Sequence, residues 1–248
     1  MKDHQDLRGD RPGDEQSHAL RAGGLRSILV VPCYNEAARL DDDALLSLAG
    51  GEFPATRLLL VDDGSRDDTG ARLAALARRA PGRIEMLALD RNRGKAEAVR
   101  QGILAALANG ADVVGYFDAD LSTPASEIRR LLSILDERPQ VAVLIGARIY
   151  DTQCGAKLFR RSDALAAALR EPFLSRWSFD VELLGRLLVG DATTPAIFER
   201  QVLEIPLRSW RDVPGSKLRL SAMAGALKDL ADIANDLSRR RREADRRG

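Results

Sequence analysis

The sequence predicts an α/β three-layer domain with a mostly parallel central sheet. Three observations lead there. Short apolar runs alternate with helix-like stretches along residues 27–147. The runs are apolar throughout, the pattern of strands covered on both faces. Three of them end abruptly in polar residues, and in open α/β sheets ligands gather at the carboxyl ends of the strands.

The expected strands are SILVVPC (27–33), RLLLVDD (57–63), RIEMLAL (83–89), DVVGYFD (112–118) and VAVLIGA (141–147). Between them, helices are expected over 36–49, 67–80, 95–109 and 124–137. Asp67, Asp68 and Thr69 open the second helix, and Ser122-Thr123-Pro124 opens the fourth with Pro near its first turn. Ser162 or Asp163 can cap a short Ala/Leu helix, and Phe179 to Val189 is apolar at helical spacing. QVLEIPL (201–207) reads as a strand, with Pro206 arguing for an edge or a strand end. Residues 216–238 are amphipathic and lead into Arg239–Arg242, expected as a solvated basic tail over 239–248. Residues 1–24 are polar with alternating charge and are expected to be disordered. One domain over 25–238 remains.

Composition narrows the chemistry. The chain has 248 residues, 45% hydrophobic and 30% charged, enough for a folded soluble core. A net charge of +1 gives no argument for nucleic-acid binding. Cys33 and Cys154 make neither a disulfide framework nor a zinc set, which fits a reducing cytoplasm. His4 and His18 both fall in the N-terminal stretch, so acid–base or metal chemistry rests on carboxylates. The sequence shows no signal-peptide core and no run near the roughly 18 apolar residues of a membrane span. A cytoplasmic protein is expected, with peripheral contact at a membrane face still open.

The chemistry-bearing residues stand at the strand ends. DVVGYFDAD closes on Asp118 and Asp120, two carboxylates that would repel without a cation between them. Mg²⁺ suits one or two carboxylates plus substrate phosphates, so a metal–diphosphate is expected there. In VPCYNE (31–36), Tyr34 could stack on a base and Glu36 could accept from a ribose or base. No Gly-x-Gly-x-x-Gly follows the first strand, which disfavours a dinucleotide site. In VDDGSRDDT (61–69), one of Asp62 and Asp63 could accept a base N–H, while Asp67 and Asp68 read as helix caps. RNRGK (91–95) lacks the Walker A spacing but puts Lys95 and free backbone N–H groups at a helix start, where anions bind. Arg100, on the same helix, reads as a solvated position.

PCYNE, VDDGS, NRGK and the DAD of 118–120, in that order, resemble glycosyltransferase family 2 over roughly residues 26–230. DTQCGAKLFRR (151–161), RWSFDVELL (176–184) and SWRDVPGSKLR (209–219) resemble its polyprenyl/dolichyl-phosphate glucosyltransferase branch. The resemblance implies a GT-A fold with a DxD-type metal site. It implies that Pro32, Tyr34 and Glu36 hold the nucleotide, with Asp63 at the base and Lys95 nearby. Asp118 and Asp120 would hold Mg²⁺ or Mn²⁺ on the donor diphosphate. Ser122 stands where the mannosyl branch has Gln. Gln153 and the region through Lys157 would face the sugar, and Lys217 a phosphate. Asp180 and Glu182 occupy the acidic pair near the reaction centre, with Asp180 the first candidate for a base. Two helix positions at i, i+2 point roughly 200° apart, so the pair is not expected to serve one atom.

The resemblance implies an inverting transferase moving a hexose, glucose favoured, from a UDP-sugar to a polyprenyl-phosphate-type lipid. The alternatives are a soluble acceptor, a GDP-mannose donor, or a nucleotide-sugar-binding protein without transfer. One departure bears on the acceptor. The family's basic, amphipathic segment before DTQCG is missing, and only Ile149 and Tyr150 join Arg148 to Asp151.

Overall fold

The computed structural model describes residues 25–50, 56–147, 156–211 and 222–246. Seven strands form one sheet: β1 (Ser27–Cys33), β2 (Thr56–Asp62), β3 (Ile84–Ala88), β4 (Val113–Tyr116), β5 (Val143–Ala147), β6 (Lys157–Arg160) and β7 (Val202–Pro206). Their order is β3-β2-β1-β4-β6-β5-β7. All neighbours are parallel except β6, which runs antiparallel to both β4 and β5.

The helices are α1 (Asp42–Gly50), α2 (Thr69–Arg79), α3 (Lys95–Ala108), α4 (Ala125–Asp136), α5 (Asp163–Ala168), α6 (Phe179–Val189) and α7 (Ala222–Asp245). One core joins Leu29, Val31, Leu58 and Leu60 to Leu45, Leu48, Leu73, Leu76, Ile128 and Leu131, so α1, α2 and α4 cover one face. The other joins Val30, Val61 and Val114 to Val99, Ile103, Leu165, Phe179 and Leu183, so α3, α5 and α6 cover the opposite face. Successive strand residues feed opposite faces, and both faces are dry. That is why β1, β2, β4 and β5 read as apolar throughout, while β3, at the sheet edge, is only partly buried.

The five expected strands are present, and β1 matches its expected span. β7 lies at the edge and ends on Pro206. Three expectations change. The first helix starts at Asp42, because Asp41 caps it by accepting from Ala44 N at 2.9 Å. β6 is an added strand between β4 and β5. The four arginines are not a tail: α7 carries them as far as Asp245. Arg240 is buried and pairs with Asp236 at 2.6 Å and Glu171 at 2.5 Å.

Arginine forks tie helix ends to the sheet. Arg160 donates to the carbonyls of Val141 and Arg138, Arg161 to Ala111, and Arg100 to Leu169. Arg100 is therefore a buried clamp between α3 and the end of α5, not a solvated position. α3 approaches the sheet closely at Gly102, where a Cβ would stand 2.4 Å from Val30 Cγ1 and 3.0 Å from Val61 Cγ2. Gly102→Ala is expected to cost about 1–3 kcal/mol by overpacking. Gly50→Ala, with nothing within 4 Å, is expected to change stability by less than about 1 kcal/mol. Urea denaturation of both variants against wild type checks the contrast.

Candidate functional site

At the carboxyl edge of the sheet, the turns after β1, β2 and β3 are laced together. Asn35 sits in the left-handed region at φ 51°. It is held there because its N–H donates to Ser65 Oγ at 3.0 Å and its Oδ1 accepts from Arg66 N at 2.9 Å. Glu36 N donates to Thr69 Oγ1 at 2.8 Å, and Ala37 N to Asp67 Oδ2 at 3.3 Å. Asp63 then reaches the third turn. Its Oδ1 accepts from Arg93 N at 2.7 Å and its Oδ2 from Gly94 N at 2.8 Å. Burial raises the Asp63 carboxyl above its usual range, and these two N–H bonds partly offset it. Gly64 is required where this lacing is tightest. Its φ is +65°, and a Cβ would lie 2.4 Å from the Arg91 carbonyl carbon.

The turn thus fixed delivers Lys95, the first residue of α3, to Asp118 beyond β4. The ammonium pairs with Asp118 Oδ1, and both side chains remain about a third exposed. Asp120 follows in a tight turn, its Oδ1 accepting from Ser122 N at 3.0 Å. Leu121, between them, is held at φ 52°. Strained backbone of this kind is retained where the surroundings over-determine it. Arg211 N, from the segment after β7, donates to the Ser122 carbonyl at 2.9 Å and closes this side.

A second lysine–aspartate pair lies beside the first. β6 pairs Lys157 with Tyr116, so Lys157 enters at the carboxyl end of β4. Its ammonium meets Asp180 Oδ2 at 3.1 Å, with both residues buried. Asp180 Oδ1 accepts from Val181 N at 3.0 Å. Tyr116 stands between the two aspartates. Burial raises its phenol well above the usual range, and Asp180 and Asp118 add to this. Its hydroxyl has no hydrogen-bond partner among the described residues. Of 38 basic residues only Lys2, Lys95, Lys157, Lys217 and Lys228 are lysines. The described two at the site each hold a carboxylate by a point charge that can swing away, which a bidentate guanidinium does less readily.

The expected residues therefore divide. Lys95 meets Asp118, Asp120 stands two residues on in the same turn, and Lys157 meets Asp180 at the end of β4. Asp63 is near but buried, and it positions the turn that carries Lys95. Pro32 lies within β1, paired with Val61. Tyr34 is partly exposed at the turn after it. Glu36 forms a bidentate pair with Arg39, at 2.8 and 2.7 Å. Gln153 and Lys217 lie outside the described residues, as does the shortened stretch after Arg148.

Glu182 departs most from expectation. It is fully buried and binds Arg186 Nη2 at 2.5 Å. The same carboxylate accepts from Leu174 N at 2.9 Å and Ser175 N at 3.3 Å. Arg186 in turn donates to the carbonyls of Ala168, Glu171 and Pro172, each at 2.9 Å. Glu182 is thus an anchor for residues 171–175, not a partner of Asp180 in chemistry. Arg176 was missed as a candidate. It donates to Asn92 Oδ1 at 3.0 Å, and its Nε would lie 2.6 Å from a Cβ on Gly94. The signal for it was only the resemblance of RWSFDVELL.

The fit of a divalent cation rests on donor chemistry. Two partly exposed carboxylates close one strand end, and a lysine ammonium already stands in for a cation on one of them. Among the described residues no third His, Cys, Asp or Glu joins them, so remaining ligands would come from substrate oxygens and water, as suits Mg²⁺ or Mn²⁺.

A doubly covered, mostly parallel sheet with carboxylates and ammonium groups at its carboxyl edge fits the GT-A fold of glycosyltransferases. The model of "Glycosyl transferase family 2" matches residues 28–204, and the chain belongs to that family. It is similar to the dolichyl-phosphate beta-glucosyltransferase of Dictyostelium discoideum, 28% identical over 83% of this chain and 72% of that protein. The Mus musculus enzyme of the same name is 30% identical over 77% of this chain and 68% of its own length. Among solved structures, the glucosyl-3-phosphoglycerate synthase of Mycobacterium tuberculosis with Mn²⁺, UDP and glucosyl-3-phosphoglycerate superposes with a TM-score of 0.61. It covers 91% of this chain and 86% of that one at 19% identity, a likeness of fold.

Glu182→Gln is expected to destabilise the protein by about 3–5 kcal/mol, because it leaves the Arg186 guanidinium buried without its counter-charge. Chemical denaturation measures the loss. A variant as stable as wild type would return Glu182 to the list of chemical candidates.

Proposed function

We propose that this family 2 glycosyltransferase moves glucose, with inversion, from UDP-glucose to a polyprenyl-phosphate-type lipid acceptor, using a divalent metal. The observation that carries the choice of acceptor is the state of Asp180. One oxygen is held by the Lys157 ammonium and the other by Val181 N–H. A carboxylate engaged in this way orients a partner better than it abstracts a proton from a neutral hydroxyl. A phosphate-monoester acceptor is already anionic near neutral pH and needs little help from a base. The two glucosyltransferase relatives support the same acceptor and sugar.

Asp118 and Asp120 would hold Mg²⁺ or Mn²⁺, which when bound neutralises charge on the leaving diphosphate. The chain's own residues do the rest. Lys95, at the start of α3, faces the donor's phosphates and stabilises charge that grows as the sugar departs. Lys157 fixes Asp180 so that it orients the acceptor or the sugar on the opposite side. Tyr34 offers an aromatic face to the base, and Asp63 keeps the Lys95 turn in place. Gln153 and Lys217 are assigned to the sugar and a phosphate respectively, on the family resemblance. Uridine is preferred over guanosine through likeness to the glucosyl branch.

Calorimetric titration with UDP, UDP-glucose, GDP and GDP-mannose in the presence of Mn²⁺ tests the donor. The uridine ligands should bind at least about tenfold tighter, a difference of roughly 1.4 kcal/mol. Equal or absent binding of all four overturns the donor assignment. Asp120→Ala should abolish Mn²⁺-dependent donor binding while the melting temperature stays near that of wild type. Transfer to soluble hydroxyl acceptors, with none to polyprenyl phosphate, overturns the lipid acceptor.

A further inference from the structure

The large apolar side chains that the fold leaves in water are not scattered. Among the described residues they are Leu174 (54% exposed), Trp177 (57%), Val181 (44%), Leu227 (72%), Leu230 (41%) and Phe198. Phe198 lies apart on the approach to β7, under the Arg200 guanidinium. The other five belong to one end of the molecule, where α6 and α7 begin. Ser175 Oγ donates to Asp229 Oδ2 at 2.6 Å, so the loop carrying Leu174 and Trp177 is fastened to α7 between Leu227 and Leu230. The two helices then run side by side in the same direction, since Gly185 of α6 faces Leu237 of α7.

This loop is held rigidly. Its backbone is fixed by the fully buried Glu182–Arg186 pair, and Ser175 Oγ also accepts from Trp177 N at 3.2 Å and Ser178 N at 2.9 Å. A segment so firmly built would bury Leu174 and Trp177 if they served the core. It presents them instead, and exposed apolar side chains gathered at one end of a rigid support mark an interaction site. The surface also adjoins the chemistry. Asp180 lies three residues beyond Trp177, and Arg176 bonds Asn92 in the turn that carries Lys95. Cationic Arg176 and Lys228 flank the two most prominent apolar groups, Trp177 and Leu227. An indole beside basic residues is suited to the boundary between lipid headgroups and acyl chains.

We propose that Leu174, Trp177, Val181, Leu227 and Leu230 form the surface by which this protein docks on a lipid bilayer, bringing Asp180 to the level of the headgroups. The proposal rests on the lipid-phosphate reading of the acceptor and goes beyond it by naming the surface. Among the described residues no helix is long and apolar enough to cross a membrane, so the contact is with the bilayer face.

The chain has two tryptophans, Trp177 and Trp210, so Trp210→Phe leaves Trp177 as the sole indole reporter. Adding vesicles of phosphatidylcholine and phosphatidylglycerol should shift its emission to the blue and carry the protein down on sedimentation. Leu174→Asp combined with Leu227→Asp should weaken vesicle partition by about tenfold or more, with an unchanged melting temperature showing that the fold is intact. No shift and no sedimentation overturns the proposal. A blue shift that needs no vesicles and follows a concentration-dependent dimer in analytical ultracentrifugation overturns it in favour of a second copy. Transfer to a short-chain, water-soluble prenyl phosphate separates the two readings. If that activity persists without vesicle binding, docking fails and the acceptor stands; if vesicle binding persists without it, the acceptor fails and docking stands.

Discussion

The site depends on one kind of contact: a side-chain oxygen of one strand-end turn accepting the backbone N–H of the next. Ser65, Thr69 and Asp67 take N–H groups from the turn after β1, and Asp63 takes two from the turn after β3. Neighbouring parallel strands put these turns side by side. Their backbone N–H groups would otherwise be unpaired at a crowded edge, where a lost partner costs about as much as a hydrogen bond. Lacing them satisfies the donors and leaves the turns no freedom to drift. Lys95 reaches Asp118 because Asp63 fixes the turn before it.

The division of labour between arginine and lysine follows the same logic. Arginines close helix ends and join layers, their several donors gathering carbonyls from two elements at once. Arg100 and Arg186 do this in the interior, and burial lowers the pKa of Arg186 from its ordinary value. Lys95 and Lys157 instead rest on the aspartates of the site. An ammonium on a flexible stem can give up one carboxylate and take a phosphate oxygen within the same small volume. The structural ion pair of Glu182 and Arg186 has no such latitude, having its guanidinium spread over three carbonyls and a carboxylate.

Much of this was legible in the chain. β1, β2, β4 and β5 showed because burial on both faces makes each a nearly unbroken apolar run, and the polar residues ending three of the expected strands marked the working edge. β6 did not show. It has four residues and opens on Lys157, a buried lysine whose charge pairs with Asp180, 23 positions later. The start of α1 was misplaced although Asp41 is an ordinary cap, since the apolar spacing upstream of it obscured the cap. The i, i+2 phase correctly separated Asp180 from Glu182. Glu182 faces the interior, where Arg186 at i+4 meets it.

By itself the sequence determined the α/β class, the family and the place of the Asp118–Asp120 turn, because these follow from hydrophobic runs and from short motifs read locally. Tertiary structure alone decided how each carboxylate is held. Asp63, Glu36 and Glu182 are acids of the same type as Asp118, Asp120 and Asp180. What distinguishes them is the partner their oxygens meet: backbone N–H groups of another turn for Asp63 and arginine forks for Glu36 and Glu182, but lysine ammonium groups for Asp118 and Asp180.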